Sequence, residues 1–326
     1  MAFDKQLNDF LAEQTALSHY SEDNSKYPYS LYDPLNYIMQ GGGKRIRPLM
    51  VFFSCEAFGG SIEKSVDAAV AIEILHNFTL VHDDIMDNAD TRRGKETIHK
   101  KWSVNEAILV GDELIGLSYR SLLRTKSERI GEIVKTFTDG VIEVCEGQAL
   151  DKEYETADDV KLNDYFIMIR KKTAELLKTS AIIGSIIAGA NSEQIETITN
   201  YSKYLGLAFQ VQDDLLDVVA NEQEFGKKIG GDILEKKKTY LYLKSLELSD
   251  VSNRKRLKDF YSNGAPGQDK INEIIKIYKS SGAIDYAKKD IQNYTLEANS
   301  YLLNITNPEA RNRLEKFSEM LLKRNY

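Results

Sequence analysis

Proline is scarce, with five in 326 residues and none between Pro48 and Pro266. Proline removes a backbone donor and breaks helices, so this absence leaves long helices unopposed. Cysteine is scarcer still: Cys55 and Cys145 are the only two. Two distant thiols make neither a disulfide framework nor a zinc pattern, which leaves reduced thiols of a cytosolic kind. An excess of basic charge is also missing. Against 50 Asp+Glu there are 43 Lys+Arg, for a net charge of −7. General nucleic-acid binding, which draws on basic surface, is excluded, and any affinity for anions must come from local clusters. The most apolar stretch, Ser180 to Ala190, has about half the length that a membrane span needs. The opening residues, Met1-Ala2-Phe3-Asp4-Lys5, lead into a polar segment rather than the apolar core of a signal peptide. A cytoplasmic protein without stable membrane insertion is expected.

Apolar residues, by contrast, make up 42% of the chain, enough for a large core. They recur at helical rather than alternating spacing: Ala69, Ile72, Leu75 and Leu80 in one region, Leu205, Phe209, Leu216 and Val219 in another. No run shows strand alternation closed by a hairpin dipeptide. Breaks fall at Gly59-Gly60, Arg93-Gly94, Asp158-Asp159, Ala190-Asn191-Ser192, between Asn221 and Asp232, and at Gly264-Ala265-Pro266-Gly267. The segments between them have the lengths of helical hairpins, and none reads as a flexible linker. The segment Ala174 to Ala190 is apolar almost all round, as a central buried helix would be. An all-α fold is expected, as a single large bundle over residues 1–326.

Within this pattern one piece of chemistry occurs twice. His82-Asp83-Asp84-Ile85-Met86-Asp87 closes the apolar run Ala68 to Val81, and Gln212-Asp213-Asp214-Leu215-Leu216-Asp217 lies in the run from Tyr201 to Val219. Residues i and i+4 of a helix lie on one face about 6 Å apart, so Asp83 and Asp87 can meet one ion, as can Asp213 and Asp217. Three carboxylates in five residues repel one another unless a cation neutralises them. A solvated acidic helix end would account for one such cluster, but it accounts poorly for two copies of this spacing beside apolar helical surface. Ligands that are all oxygen, with no Cys or His cluster nearby, favour Mg2+, a hard cation that commonly bridges to phosphates.

Cations stand in short groups around these clusters. Gly41-Gly42-Gly43-Lys44-Arg45-Ile46-Arg47-Pro48 carries three of them behind a glycine turn, and Arg92-Arg93-Gly94 follows the first acidic cluster. Lys171-Lys172-Thr173 opens a helix, while Gly226-Lys227-Lys228 and Lys236-Lys237-Lys238-Thr239 follow the second cluster. Each alone is an ordinary solvated patch. Together with the acidic pair they suit two anionic groups, one bridged through metal and one held directly by Arg, Lys and His.

These segments, in this order from Gly41 to about Tyr240, resemble the trans-isoprenyl diphosphate synthases, the polyprenyl synthetase family. The resemblance implies an all-α bundle around a deep central cavity, usually as a homodimer. It implies a Mg2+-dependent prenyltransferase that condenses isopentenyl diphosphate head-to-tail with an allylic diphosphate, using about three metal ions. By the same resemblance Asp83, Asp84, Asp87, Asp213, Asp214 and Asp217 would hold metal. Arg92, Lys172, Thr173, Gln210, Lys227 and Lys237 would contact the allylic substrate or its leaving diphosphate, with Arg92, Lys172 and Lys227 the catalytic cations among them. Lys44, Arg47, His76 and Arg93 would hold isopentenyl diphosphate. No side-chain base stands out for the final proton loss, and the family gives that task to the released diphosphate. Lys236 replaces a glycine of the family pattern, so which of Lys236, Lys237 and Lys238 reaches diphosphate stays open.

Product length in this family is set in the helix before the first motif. A bulky residue five positions upstream of Asp83 goes with short products, and that residue is Phe78, with Thr79 beside it. Five residues rise roughly 7.5 Å along a helix, so Phe78 could floor a shallow pocket. An ideal helical wheel turns Thr79 closer to Asp83, so helix geometry leaves the choice between the two open. Phe78 without an insertion in the motif is similar to geranylgeranyl diphosphate synthases, with farnesyl diphosphate next. The alternatives are a long-chain polyprenyl diphosphate synthase, where Phe78 should be small, and a non-catalytic regulatory subunit. Such subunits tend to lose motif aspartates, and here all six are present.

Overall fold

A computed structural model describes residues 2–19, 28–219, 230–262 and 267–322. The chain divides into two compact units, Met1–Thr138 with Thr179–Ile195, and Asp139–Lys178 with Glu196–Tyr326. Among the described residues no helix is long and apolar enough to cross a membrane.

The first unit is built around α4, Ile62–Met86, a helix of 25 residues that spans roughly 37 Å. Every residue from Ala68 to Leu75 in it is buried, which places it at the centre of its unit. Around it lie α1 (Ala2–His19), α2 (Tyr29–Met39), α3 (Ile46–Ala57), the single turn α5 (Ile98–Lys101) and α6 (Val104–Leu122). The start of α7 (Ile130–Thr156) and the end of α9 (Glu175–Ile187) also belong here. Ser103 caps α6 by accepting the Glu106 N–H at 3.2 Å, the usual way to satisfy a first-turn donor.

The C-terminal end of α4 determines where the first acidic motif lies. Asn88 takes up the left-handed conformation at φ 49°. The Ala89 N–H then donates to the Asp84 carbonyl at 2.9 Å and the Asn88 N–H to that of Ile85 at 3.1 Å. This is a Schellman closure. It leaves Asp83, Asp84 and Asp87 at the negative end of the helix dipole, where acidic side chains are least favoured. The chain then makes the one departure from an all-α architecture seen among the described residues. Strands β1 (Thr91–Arg92) and β2 (Lys95–Glu96) pair antiparallel, Arg92 opposite Lys95. Their turn residues Arg93 and Gly94 both have positive φ, 54° and 75°, as a two-residue hairpin of the primed type requires. The expected break at this point is therefore a hairpin, hidden because an Arg-Gly turn lacks the common Asn or Asp.

The second unit holds the rest of α7, then α8 (Leu162–Ile169), a π-helical turn Arg170–Ala174, the start of α9, and most of α10 (Ser192–Val219). A short turn Gly231–Leu234 follows, then helices Tyr240–Leu248, Val251–Ser262, Gln268–Ser280, Ala283–Leu302 and Pro308–Leu322. Its core gathers Tyr165, Val211, Leu215, Tyr240, Tyr261 and Tyr278. Buried hydroxyls find partners, as they must: Tyr261 and Tyr278 bond each other at 2.8 Å, and Tyr201 donates to the Leu314 carbonyl at 2.9 Å. The latter ties the last helix to α10.

Candidate active site

In the first unit the glycine run and the hairpin bring Arg45, Arg47, Arg92 and Arg93 around His76 of α4. Arg45 stands in the left-handed region at φ 50° and turns back to Glu73 of α4, at 2.5 Å, and to Asp4 of α1, at 3.0 Å. Glu73 is only 3% exposed, so this ion pair fixes the loop before α3. Arg47, on the first turn of α3, donates from Nη1 to His76 Nε2 at 3.1 Å. From the hairpin, Arg93 donates to the Gly42 carbonyl. Glycine at 43 allows this approach, because a Cβ there would lie 3.1 Å from the Arg93 guanidinium. Lys44 is exposed in the same loop.

This packing decides the state of His76. Burial first, then Arg47, Arg93, Arg92 and Arg45, holds its imidazole well below its ordinary pKa of 6.5, so the ring is neutral. A guanidinium has donors only, so Nε2 is the acceptor and the proton sits on Nδ1. That Nδ1–H is buried and has no hydrogen-bond partner among the described residues, and neither has Arg47 Nε. Burial also lowers the Arg47 guanidinium to about 10. Two buried donors without acceptors, in a ring of positive charge, suit an anion.

The aspartates of each motif divide alike. Asp84 is 3% exposed and its Oδ1 accepts from Arg92 Nε at 2.7 Å. Asp214, also 3% exposed, has both oxygens taken. Oδ2 accepts the Tyr165 hydroxyl at 2.7 Å and the Tyr240 N–H at 3.1 Å, and Oδ1 accepts Gln210 Nε2 at 2.8 Å. Burial pushes both carboxyls up. Asp84 and Asp214, grouped with the metal ligands on the sequence, have side chains that face protein donors. Asp83, Asp87, Asp213 and Asp217 are half-buried.

In the second unit Lys172 and Thr173 lie in the π-helical turn, a distortion frequent at functional sites. Thr173 donates to Gln210 Oε1 at 2.7 Å, and Lys172 Nζ rests on Asp151 at 2.5 Å. A residue absent from the sequence reading joins here. The Asp232 N–H donates to Asp217 Oδ2 at 3.1 Å, and burial followed by the charges of Asp217 and Asp214 raises the Asp232 carboxyl well above its ordinary range. Its signal was faint: a lone Asp behind Gly230-Gly231, outside either acidic motif. The three lysines of the open register differ in their partners. Lys238 Nζ donates to the carbonyls of Tyr154, Glu155 and Ala157, closing the end of α7. Lys237 pairs with Glu235 at 2.7 Å and offsets the charge of Asp232. Lys236 occupies the glycine position of the pattern in the conformation that glycine favours, at φ 58°. Lys227 lies outside the described residues.

For chain length, Phe78 is 7% exposed, with its ring edge-on to His82 at 4.7 Å. His82 sits in a notch of α6, where a Cβ on Gly111 would come within 2.1 Å of its Nε2. Thr79 is half-buried, and its hydroxyl donates to the His76 carbonyl at 2.8 Å.

As for a metal, the donors that both motifs offer are carboxylate oxygens. The donor chemistry fits a hard divalent cation. Among the described residues, no three acidic, His or Cys side chains converge on a ready-made site.

The polyprenyl synthetase family profile matches residues 28–278, across both units. The chain is 38% identical to the short chain isoprenyl diphosphate synthase of Methanocaldococcus jannaschii, over 100% of this chain and 97% of the other. It is 40% identical to the geranylgeranyl diphosphate synthase of Sulfolobus acidocaldarius, over 81% and 82%. The crystal structure of geranylgeranyl pyrophosphate synthetase from Pyrococcus horikoshii superposes with a TM-score of 0.88 at 34% identity, covering 99% of both chains.

Two outcomes follow from this geometry. Below the ordinary pKa of 6.5 the unfolded chain takes up a proton at His76 that the folded chain refuses, so stability falls as pH drops through that value. Replacing His76→Gln removes this contribution. Urea midpoints measured at about pH 7.5 and about pH 5.5 should fall less for the variant than for the parent. Separately, Lys236→Gly should stabilise the protein by about 1 kcal/mol, since it removes a left-handed non-glycine residue. A lower denaturation midpoint would contradict the strain at that position.

Proposed function

The chain belongs to the polyprenyl synthetase family, and we propose that it makes a short prenyl diphosphate by condensing isopentenyl diphosphate with an allylic diphosphate, geranylgeranyl diphosphate being the product. The observation that carries this reading is the pair of buried donors, His76 Nδ1 and Arg47 Nε, left without acceptors inside the cation cluster. Isopentenyl diphosphate supplies the missing oxygens, held also by Lys44 and Arg93. Neutral His76 contributes an oriented donor that stays in place across the working pH range.

The allylic diphosphate belongs with Lys172, Thr173, Gln210 and Lys237 of the second unit, and the sequence resemblance gives Arg92 and Lys227 the same role. Breaking an allylic C–O bond builds negative charge on the leaving diphosphate, and fixed cations stabilise that charge more in the transition state than before it. Lys172 is stored on Asp151 and moves to the diphosphate from there, so its charge is in place before the bond breaks. Asp83, Asp87, Asp213 and Asp217 would hold Mg2+, joined by Asp232, while Asp84 and Asp214 keep the backbone around them in place. When bound, the metal supplies charge neutralisation on the diphosphate oxygens. The departing diphosphate, having gained charge, takes the proton that the condensed product loses.

Phe78 limits the product, braced by His82 against α6. The protein acts as a homodimer, a reading supported by the exposed apolar side chains of α6: Val104 at 47%, Ile108 at 41% and Leu109 at 56%. The archaeal relatives named as geranylgeranyl diphosphate synthases support the chain length.

The test is a product assay with Mg2+, labelled isopentenyl diphosphate, and dimethylallyl, geranyl or farnesyl diphosphate as primer. A C20 product is expected, and Phe78→Ala should lengthen it by at least one isoprene unit. An unchanged product from that variant removes Phe78 as the floor, and no turnover with any primer removes the enzymatic reading.

A further inference from the structure

Helix α7 carries a glycine in its interior, Gly147, where alanine would be the better helix former. Its surroundings give the reason. A Cβ built there would lie 2.3 Å from the Lys172 backbone nitrogen and 2.7 Å from both the Lys171 carbonyl carbon and Lys172 Cα. All three are main-chain atoms, so no rotamer relieves the overlap. The π-helical turn Arg170–Ala174 is thus laid directly on the bare backbone of α7. On its other side, a Cβ on Gly206 of α10 would come within 2.5 Å of Ala174 Cβ and 2.7 Å of its Cα.

Charges on α7 fasten the turn in this seat. Lys171 Nζ reaches Glu143 at 2.7 Å and Glu146 at 2.5 Å, while Lys172 Nζ reaches Asp151 at 2.5 Å. Glu143 and Asp151 lie four residues before and after Gly147, on the same face of α7, and Glu146 lies at the edge of that face. From α10, Gln210 accepts the Thr173 hydroxyl at 2.7 Å and passes the contact on to Asp214 at 2.8 Å. The turn is located by its backbone seat first and by its side chains second.

We infer that Gly147 is a positioning residue for the allylic diphosphate: its missing side chain sets the position of the π-helical turn, and so the reach of Lys172 and Thr173. The inference rests on the reading of those two residues as diphosphate contacts. Relieving the overlap with a methyl group displaces the turn by about 1 Å, a misplacement that can cost on the order of a hundredfold in rate. Isopentenyl diphosphate binding, assigned to Lys44, Arg47, His76 and Arg93, should not respond.

The experiment compares Gly147→Ala with the parent and with Gly131→Ala, a same-helix control whose Cβ meets nothing within 4 Å. For Gly147→Ala, kcat/KM for the allylic substrate should fall at least about tenfold while KM for isopentenyl diphosphate stays within about twofold. Gly131→Ala should match the parent. Calorimetric titration with inorganic pyrophosphate and Mg2+ gives a second readout, expected to weaken for Gly147→Ala alone, and it applies even if the parent turns over no primer. Should Gly147→Ala fail to fold, Lys171→Met decides instead, since it cuts the strap without adding bulk at the seat. It should raise the allylic KM several-fold and leave the isopentenyl KM alone. A parent without turnover counts against the proposed reaction. An active parent whose variant keeps its allylic kcat/KM and its pyrophosphate affinity, or loses ground equally toward both substrates, overturns the role of Gly147.

Discussion

Three carboxylates within five residues of one helix form an arrangement that a folded protein does not hold without compensation, and this chain holds two of them. Each is stabilised in the same way, by withdrawing the middle aspartate from solvent and giving it donors of its own. For Asp84 the donor is Arg92. For Asp214 the donors are the Tyr165 hydroxyl, the Gln210 amide and the Tyr240 N–H. The outer aspartates, Asp83, Asp87, Asp213 and Asp217, stay half-buried.

Much of the surrounding structure depends on those two buried carboxylates. Arg92 belongs to the hairpin, so its bond to Asp84 also sets where Arg93 meets the Gly42 carbonyl. Asp214 reaches further. Through Gln210 it is connected to Thr173 and the π-helical turn, through Tyr165 to α8, and through the Tyr240 N–H to the helix that follows the lysine run. Every described segment of the second unit proposed to contact the allylic diphosphate is one or two hydrogen bonds from this single side chain. Burying a charge for this purpose is costly unless it is well bonded, which accounts for the number of donors around it.

The helices and the two motifs could be read in the sequence because apolar periodicity and the repeated Asp-Asp-x-x-Asp spacing are local signals. Ala68 to Leu75 and the run before Asp213 behave as their patterns predict. What escaped the reading depends on tertiary partners. Nothing local distinguishes Asp84 from Asp83, since the difference is an arginine eight residues away. Neighbouring lysines are equally alike on paper, yet Lys238 closes a helix end, Lys237 faces Asp232, and Lys171 straps the π-helical turn. Arg45, one of three cations in its run, turned out to serve Glu73 and the fold. The hairpin and the π-helical turn were missed for related reasons: an Arg-Gly turn carries a weak signal, and a single inserted residue in a helix carries none. Family pattern groups all six aspartates as one type, whereas burial and hydrogen bonding set Asp84 and Asp214 apart from the other four.

Asp84 and Asp214 are engaged by protein donors, whereas Asp83 and Asp213 are the aspartates proposed to meet ligand. The direct test is calorimetric melting, without metal or substrate, of Asp84→Asn and Asp214→Asn beside Asp83→Asn and Asp213→Asn. Loss of the buried carboxylates should lower Tm by several degrees, as expected for breaking bonded buried charges. The Asp83 and Asp213 substitutions, at half-buried carboxylates, should lower Tm by less. The reverse order, with Asp83→Asn and Asp213→Asn the destabilising pair, would contradict the division on which the site is built.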